Sequence, residues 1–245
     1  MSRETRNFIS VAIKFAIFGF ALAGILGCLV GPSGGFMSGS VLFKYFTNQS
    51  NVWIAVLGLV LGILQLVNMK NGKYELGRVA YVLQLVFTVS ITLTGFVFCA
   101  VLLPAMLTTS DNPALKESIL GWQQIFLHVV VPILAVVDLL GFTKPEKFNY
   151  KKFDFLWTAL PPLYYLGFSR IGYVQGWDFG GGNNYPYFFL NYDSPAGFFG
   201  FSSEMPYFMG VFWWIIAIVI FVFGIAFLYQ VLVNRHIRKN REKLI

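Results

Sequence analysis

Charge is scarce in this chain. Only 12% of its 245 residues are Asp, Glu, Lys or Arg, about half the share of ordinary soluble domains. Cysteine and histidine are scarcer still, with two of each. Two cysteines, Cys28 and Cys99, cannot build a disulfide framework. They read as small apolar packing residues, with a single bridge between the outer ends of two helices as the other option. Two histidines without Cys/His spacing exclude a zinc site, so no metal is expected. No cofactor is indicated either, because the Gly-rich stretch within residues 171–206 lacks the Gly-Lys-Ser/Thr of a phosphate loop. Internal repeats and heptads are missing. The basic tail "NRHIRKNREKLI" has no nucleic-acid motif beside it, which excludes a nucleic-acid partner. Its expected partners are anionic lipid head groups.

What the chain does contain is apolar mass: 57% of it is hydrophobic. That mass comes in blocks near the ~20 residues that a helix needs to span a bilayer. Six are read, over residues 8–30, 41–67, 79–103, 119–142, 153–174 and 207–232. The fifth is interrupted by Pro161 and Pro162, which membrane helices tolerate when neighbours re-satisfy the freed carbonyls. The first block exceeds a signal-peptide core and no small-x-small site closes it, so it is expected to be retained. "GILGC" fits a lipoprotein box poorly because Leu26 is out of place. The expectation is an all-α fold: one integral membrane domain, residues 1–245, built as a six-transmembrane-helix bundle.

Orientation follows from Lys and Arg. Arg3 and Arg6, then Lys70, Lys73 and Arg78, then Lys144, Lys147, Lys151 and Lys152, and finally Arg235, Arg238, Lys239, Arg241 and Lys243 fall on one side. Lys44, Lys116 and Arg170 fall on the other, and Lys14 lies inside the first block. Fourteen against three in strict alternation places both termini in the cytoplasm. The outer connection, residues 171–206, is dense in Tyr, Trp and Phe. It reads as an interfacial aromatic belt, as a lid over an outward-facing pocket, or as both.

Polar residues inside apolar spans need partners. Gln84, Thr88 and Thr92 recur at intervals of four, and so do Gln124 and His128, each set marking one helix face. Tyr164, Tyr165 and the outer Arg170 mark the fifth block, and Thr47, Ser50 and Asn51 the second. One such stripe means interhelical hydrogen bonding. Four point to a shared polar cavity lined by Asn51, Gln84, Thr88, Gln124, Tyr165 and Arg170. His128 lies about 13–14 Å down its helix if the helix starts at Ile119. There an imidazole serves either as a satisfied structural group or as a general base. Asp138, ten residues further along, is too far to orient it and is expected to face Lys144 and Lys147.

"KYFT" at Lys44–Thr47, the spacing H-x-x-x-P-x-x-x-x-x-D from His128 to Asp138, and "YPYFFLN" at Tyr185–Asn191 resemble one membrane family. It comprises the androgen-induced and androgen-dependent TFPI-regulating proteins, and this chain looks closest to its bacterial branch. The resemblance implies a six-helix intramembrane hydrolase of fatty acid esters in the cell membrane, that of a bacterium. By motif, Thr47 would be the nucleophile and His128 its base. A threonine hydroxyl needs such a base, so Thr47 must be buried at the depth of His128, which requires helix 2 to begin near Val41. Asn51, Gln124 or Tyr165 could supply the oxyanion donor. Burial of Thr47 would also bury the Asn48-Gln49-Ser50 sequon and exclude its glycosylation. The competing reading is a non-enzymatic protein that binds or transports a small lipophilic or protonatable ligand, with His128 as its proton-sensitive element.

Overall fold

The computed structural model describes residues 2–30, 39–73, 75–109, 119–143 and 148–242. Its regular elements are helical, apart from an isolated antiparallel bridge between Phe201 and Met209. Six main helices follow one another: α1 (Arg3–Val30), α2 (Phe46–Lys70), α3 (Arg78–Thr108), α4 (Trp122–Phe142), α5 (Leu160–Val174) and α6 (Val211–Glu242). All but α5 are long and apolar enough to cross a membrane. The fifth α-helix has 15 residues and continues from a 3₁₀ turn, Asp154–Ala159. Pro161 and Pro162 do not interrupt it as the sequence suggested. They stand in its first turn, where a missing N–H leaves no bond unmade.

The surface and the interior are inverted relative to a water-soluble domain. Leu64, Val67, Ile133, Leu163 and Ile220 point outward, a spread of apolar surface that water would turn into an aggregation site. Inside lie Lys14, Asn48, Ser50, Asn51, Thr88, His128 and Asp138, all buried. Burying such groups is expensive, and most of them find partners inside the bundle. Lys144 and Lys147, the cations expected to face Asp138, fall outside the described residues along with Lys116 and Lys243. The partner of Asp138 is Lys14 of α1, at 2.6 Å. A buried carboxylate takes the cation at its own depth, and α1 carries one there.

The connections gather at two ends. At one, Arg78 grips both carboxylate oxygens of Asp154, the Tyr150 hydroxyl donates to the Tyr81 carbonyl at 2.8 Å, and the Asn234 amide donates to the Tyr150 carbonyl at 3.0 Å. At the other, Lys44 donates to the Asp178 carbonyl at 2.6 Å, Tyr45 to the Phe179 carbonyl at 2.5 Å, and Tyr207 to the Val101 carbonyl at 3.1 Å. The long aromatic connection is thereby pinned over the start of α2.

Two glycines set the helix spacing around the site. A Cβ on Gly58 would lie 2.9 Å from the Lys14 carbonyl oxygen, so α1 and α2 meet backbone to backbone. A Cβ on Gly95 would lie 2.8 Å from the carbonyl oxygen of His128, so α3 and α4 touch at the histidine itself. The helices are also locally widened into π-turns at Phe98–Leu102, Phe126–Val130 and Asp138–Phe142. Such turns concentrate at functional positions. Here one carries His128, one begins at Asp138, and one begins at Phe98, whose ring stacks on the imidazole at 3.8 Å between centroids.

Candidate functional site

The polar cluster at the start of α2 explains itself once each side chain is followed to its partner. A helix start leaves backbone groups unpaired, and the 3₁₀ turn Gly39–Lys44 just before it leaves carbonyls free as well. The Asn48 amide donates to the Leu42 carbonyl at 3.1 Å and the Gln49 amide to the Phe43 carbonyl at 2.9 Å. Ser50 meets the Thr94 hydroxyl of α3 at 2.8 Å. Asn51 donates to the Thr47 carbonyl at 2.8 Å and to the Leu127 carbonyl of α4 at 3.1 Å. Four residues thus fasten the entry of α2 to its surroundings. The fifth, Thr47, turns its hydroxyl toward His128.

That pair is 3.3 Å apart, from Thr47 Oγ1 to His128 Nε2. The other ring nitrogen, Nδ1, lies 2.9 Å from the Gln124 carbonyl oxygen. A carbonyl only accepts, so Nδ1 carries the proton, Nε2 presents its lone pair, and Thr47 donates to it. Both residues are nearly fully buried, at 4% and 2% exposure, in keeping with an imidazole held neutral. Asn51 ties the backbones of α2 and α4 together at this contact, next to both Thr47 and His128.

Thr47 reaches its depth differently from the sequence expectation. The α-helix begins at Phe46, not near Val41, after the 3₁₀ turn. The aromatic connection covers the helix start from above, so burial does not require a longer helix. His128 likewise lies six residues into α4, whose helix starts at Trp122 rather than Ile119; that is about 9 Å along the axis. Asn48 is fully buried, as expected from the burial of Thr47.

The covering connection brings a residue that sequence reasoning did not single out. The Tyr187 hydroxyl accepts the Thr47 backbone N–H at 3.4 Å. It also interacts with the hydroxyls of Thr47 and Tyr165, and burial raises its pKa above the ordinary tyrosine value. It is therefore a neutral phenol that keeps its proton. Its ring stacks on Phe189 and meets Tyr45 edge-on. The signal available in the sequence was the "YPYFFLN" motif, which contains it.

Two spaces meet at Thr47. An apolar cavity of about 270 Å³ runs between α2, α3, α5 and α6, walled by residues such as Phe46, Leu93, Leu166, Ile218 and Val222. Its polar groups come from Thr47, Thr94, Tyr165 and Tyr187. A chamber of about 10 Å³ lies on the histidine side, lined by Thr47, Phe98, Leu102, Met106, Ile119, Gln124, His128 and Tyr187. Thr47, Leu102 and Tyr187 border both.

The other expected lining residues divide. Gln124 lines the small chamber, and Tyr165 lines the large cavity while its hydroxyl donates to the Lys44 carbonyl at 3.0 Å. The Asn51 amide is already spent on two carbonyls, so neither Asn51 nor Tyr165 has a donor to spare for an oxyanion. Gln84 and Thr88 lie elsewhere, around Asp138 and Lys14. The Gln84 amide donates to Asp138 Oδ2 and to the Thr143 hydroxyl, both at 2.8 Å. Arg170 is exposed and stacks over the rings of Tyr173 and Tyr192 at 4.9 and 4.5 Å. Cys28 and Cys99 are both free thiols. Among the described residues no group of His, Cys, Asp and Glu could hold a metal ion.

Fold and site together define an all-helical chain with several helices apolar and long enough to cross a membrane, and with a buried threonine–histidine pair. No protein-family model matches the chain, and comparison with curated proteins and with solved structures gives no match.

Proposed function

We propose that the chain is an intramembrane hydrolase that cleaves a lipid-like ester by acyl transfer to Thr47, with His128 as general base. The observation that carries this reading is the pair of contacts made by the His128 ring nitrogens. With Nδ1–H committed to the Gln124 carbonyl, Nε2 is left to take the hydroxyl proton of Thr47, the one side chain among the described residues that it meets at hydrogen-bond distance. Thr47 Oγ then attacks the ester carbonyl carbon. The proton held on His128 passes to the departing alkoxide, and the acyl group remains on Thr47. The neutral Tyr187 hydroxyl, beside the Thr47 amide, is the donor for the oxyanion. The apolar cavity ending at Thr47 suits an alkyl chain, and its volume is near the small end of the ~300–1,000 Å³ common for ligand sites.

The same reading places six spans in the plasma membrane of a bacterium with both termini cytoplasmic. Its support is the Lys/Arg asymmetry together with the way the connections sort. The segments at Arg78, Asp154 and Asn234 meet at one end, and those at Lys44, Asp178 and Tyr207 at the other.

A fluorophosphonate directed at hydroxyl nucleophiles, followed by peptide mass mapping, tests the proposal. Labelling is expected on Thr47 and is expected to vanish in both Thr47→Ala and His128→Ala. The single and double variants should lose similar ester-hydrolase activity, because a nucleophile and its base act as one unit. A label on another residue, or additive losses, refutes the assignment.

A further inference from the structure

We propose that the small chamber beside His128 holds the hydrolytic water, and that Gln124 is the positioning residue that aims it at acyl-Thr47. This rests on the acyl-transfer reading above and deepens it by assigning the second half of the reaction.

Four observations converge on the chamber. Its volume, about 10 Å³, is close to that needed for one water and too small for a second reactant. Its polar wall is formed by Gln124, His128, Thr47 and Tyr187, enough for the two to four partners that a buried water needs. The rest of the wall, Phe98, Leu102, Met106 and Ile119, offers a water nothing to bond, which fixes it at the polar end. Finally, Gln124 Oε1 is buried with no hydrogen-bond partner, although the same side chain's amide nitrogen lies 3.8 Å from Cys28 Sγ. Leaving a buried acceptor orphaned is costly. A water in the chamber removes that cost by donating to it.

The placement also suits the chemistry. Thr47 separates the chamber from the large cavity, so an acyl group on Thr47 Oγ extends its chain into the apolar side and exposes its carbonyl carbon at the junction. A water held by Gln124 Oε1 through one hydrogen points its other hydrogen at His128 Nε2. His128 removes that proton as the water oxygen bonds the acyl carbon. The carbon–Oγ bond then breaks, His128 returns the proton to Thr47 Oγ, and a carboxylic acid leaves. Nothing else is consumed.

The test uses the purified full chain in detergent with p-nitrophenyl octanoate. In Gln124→Leu the initial burst of p-nitrophenol should match the native protein, because acylation does not use the chamber water. Steady-state release should fall on the order of 100-fold, the scale of a misplaced reactant. Intact mass should show octanoyl-Thr47 accumulating, and Gln124→Glu, which restores an acceptor, should recover turnover. A leucine variant that melts well below the native protein is replaced by Gln124→Met, held to the same criteria. The assignment is overturned if burst and steady state fall together, if turnover is unchanged, or if no acyl adduct builds up. Failure of the nucleophile itself is distinguishable, since the native protein would then carry its adduct elsewhere or Thr47→Ala would keep its burst.

Discussion

The buried ion pair between α1 and α4 yields the sharpest stability prediction. Lys14 and Asp138 are 3% and 2% exposed, with Nζ 2.6 Å from Oδ2. The carboxylate also receives the Ser10 hydroxyl at 2.5 Å and the Gln84 amide at 2.8 Å. Lys14 itself donates to Ser10 at 2.6 Å. Changing Lys14 to Met keeps most of the side-chain volume but leaves the carboxylate without its countercharge. Removing one partner of a buried pair costs about 3–5 kcal/mol, whereas replacing both by apolar groups is often neutral. At about 2–4 °C per kcal/mol for a chain of this size, Lys14→Met should lower the melting temperature by roughly 6–20 °C. Asp138→Leu should do similar damage by stranding the ammonium. The double variant Lys14→Met/Asp138→Leu should recover most of the loss, with a coupling energy of at least about 2 kcal/mol. Circular dichroism melts of all four proteins in one detergent complete the cycle. Single variants within about 1 °C of native, or a double variant equal to the sum of its parts, would refute a compensated buried pair.

Three further expectations are open to direct measurement. Tyr187→Phe removes one hydroxyl and leaves the ring stack on Phe189. It should lower kcat for a chromogenic ester by about 10²–10³ with little change in KM; an unchanged kcat removes Tyr187 as oxyanion donor. Gly95→Ala would place a Cβ 2.8 Å from the His128 carbonyl oxygen, so α3 must shift. The cost should be about 1–3 kcal/mol in thermal unfolding, with reduced fluorophosphonate labelling; a variant as stable and reactive as native disproves the tight approach. Reporter fusions after Lys73, Lys147 and Lys243 should read cytoplasm, and those near Ser110 and Asn183 the outside. A cytoplasmic signal at Asn183 removes a span and the proposed topology with it.

The sequence by itself determined the helical membrane-type architecture and where its polar residues would be hidden. Long apolar runs have few ways to satisfy their backbones outside water, and helices are the local one. Polar residues within such runs stand out because their burial is expensive. Thr47, His128 and Gln124 were legible on those grounds and from short motifs, each a local pattern. What only the tertiary structure decided was depth and partnership. A spacing of four tells which residues share a helix face but not what that face meets. Gln84 and Thr88 share a face yet turn to Lys14 and Asp138, and Lys14 and Asp138 lie 124 positions apart with no local signal linking them. Tyr187 sits in an irregular connection where no periodicity operates, and it reaches Thr47 only because Lys44 and Tyr45 pin that connection onto the start of α2. Arg170, grouped with the cavity by its place on α5, instead stacks outside on two tyrosines, since an exposed guanidinium keeps its hydration there. Local chemistry marks which residues must be partnered; the packing of six helices and one covering loop chooses the partners.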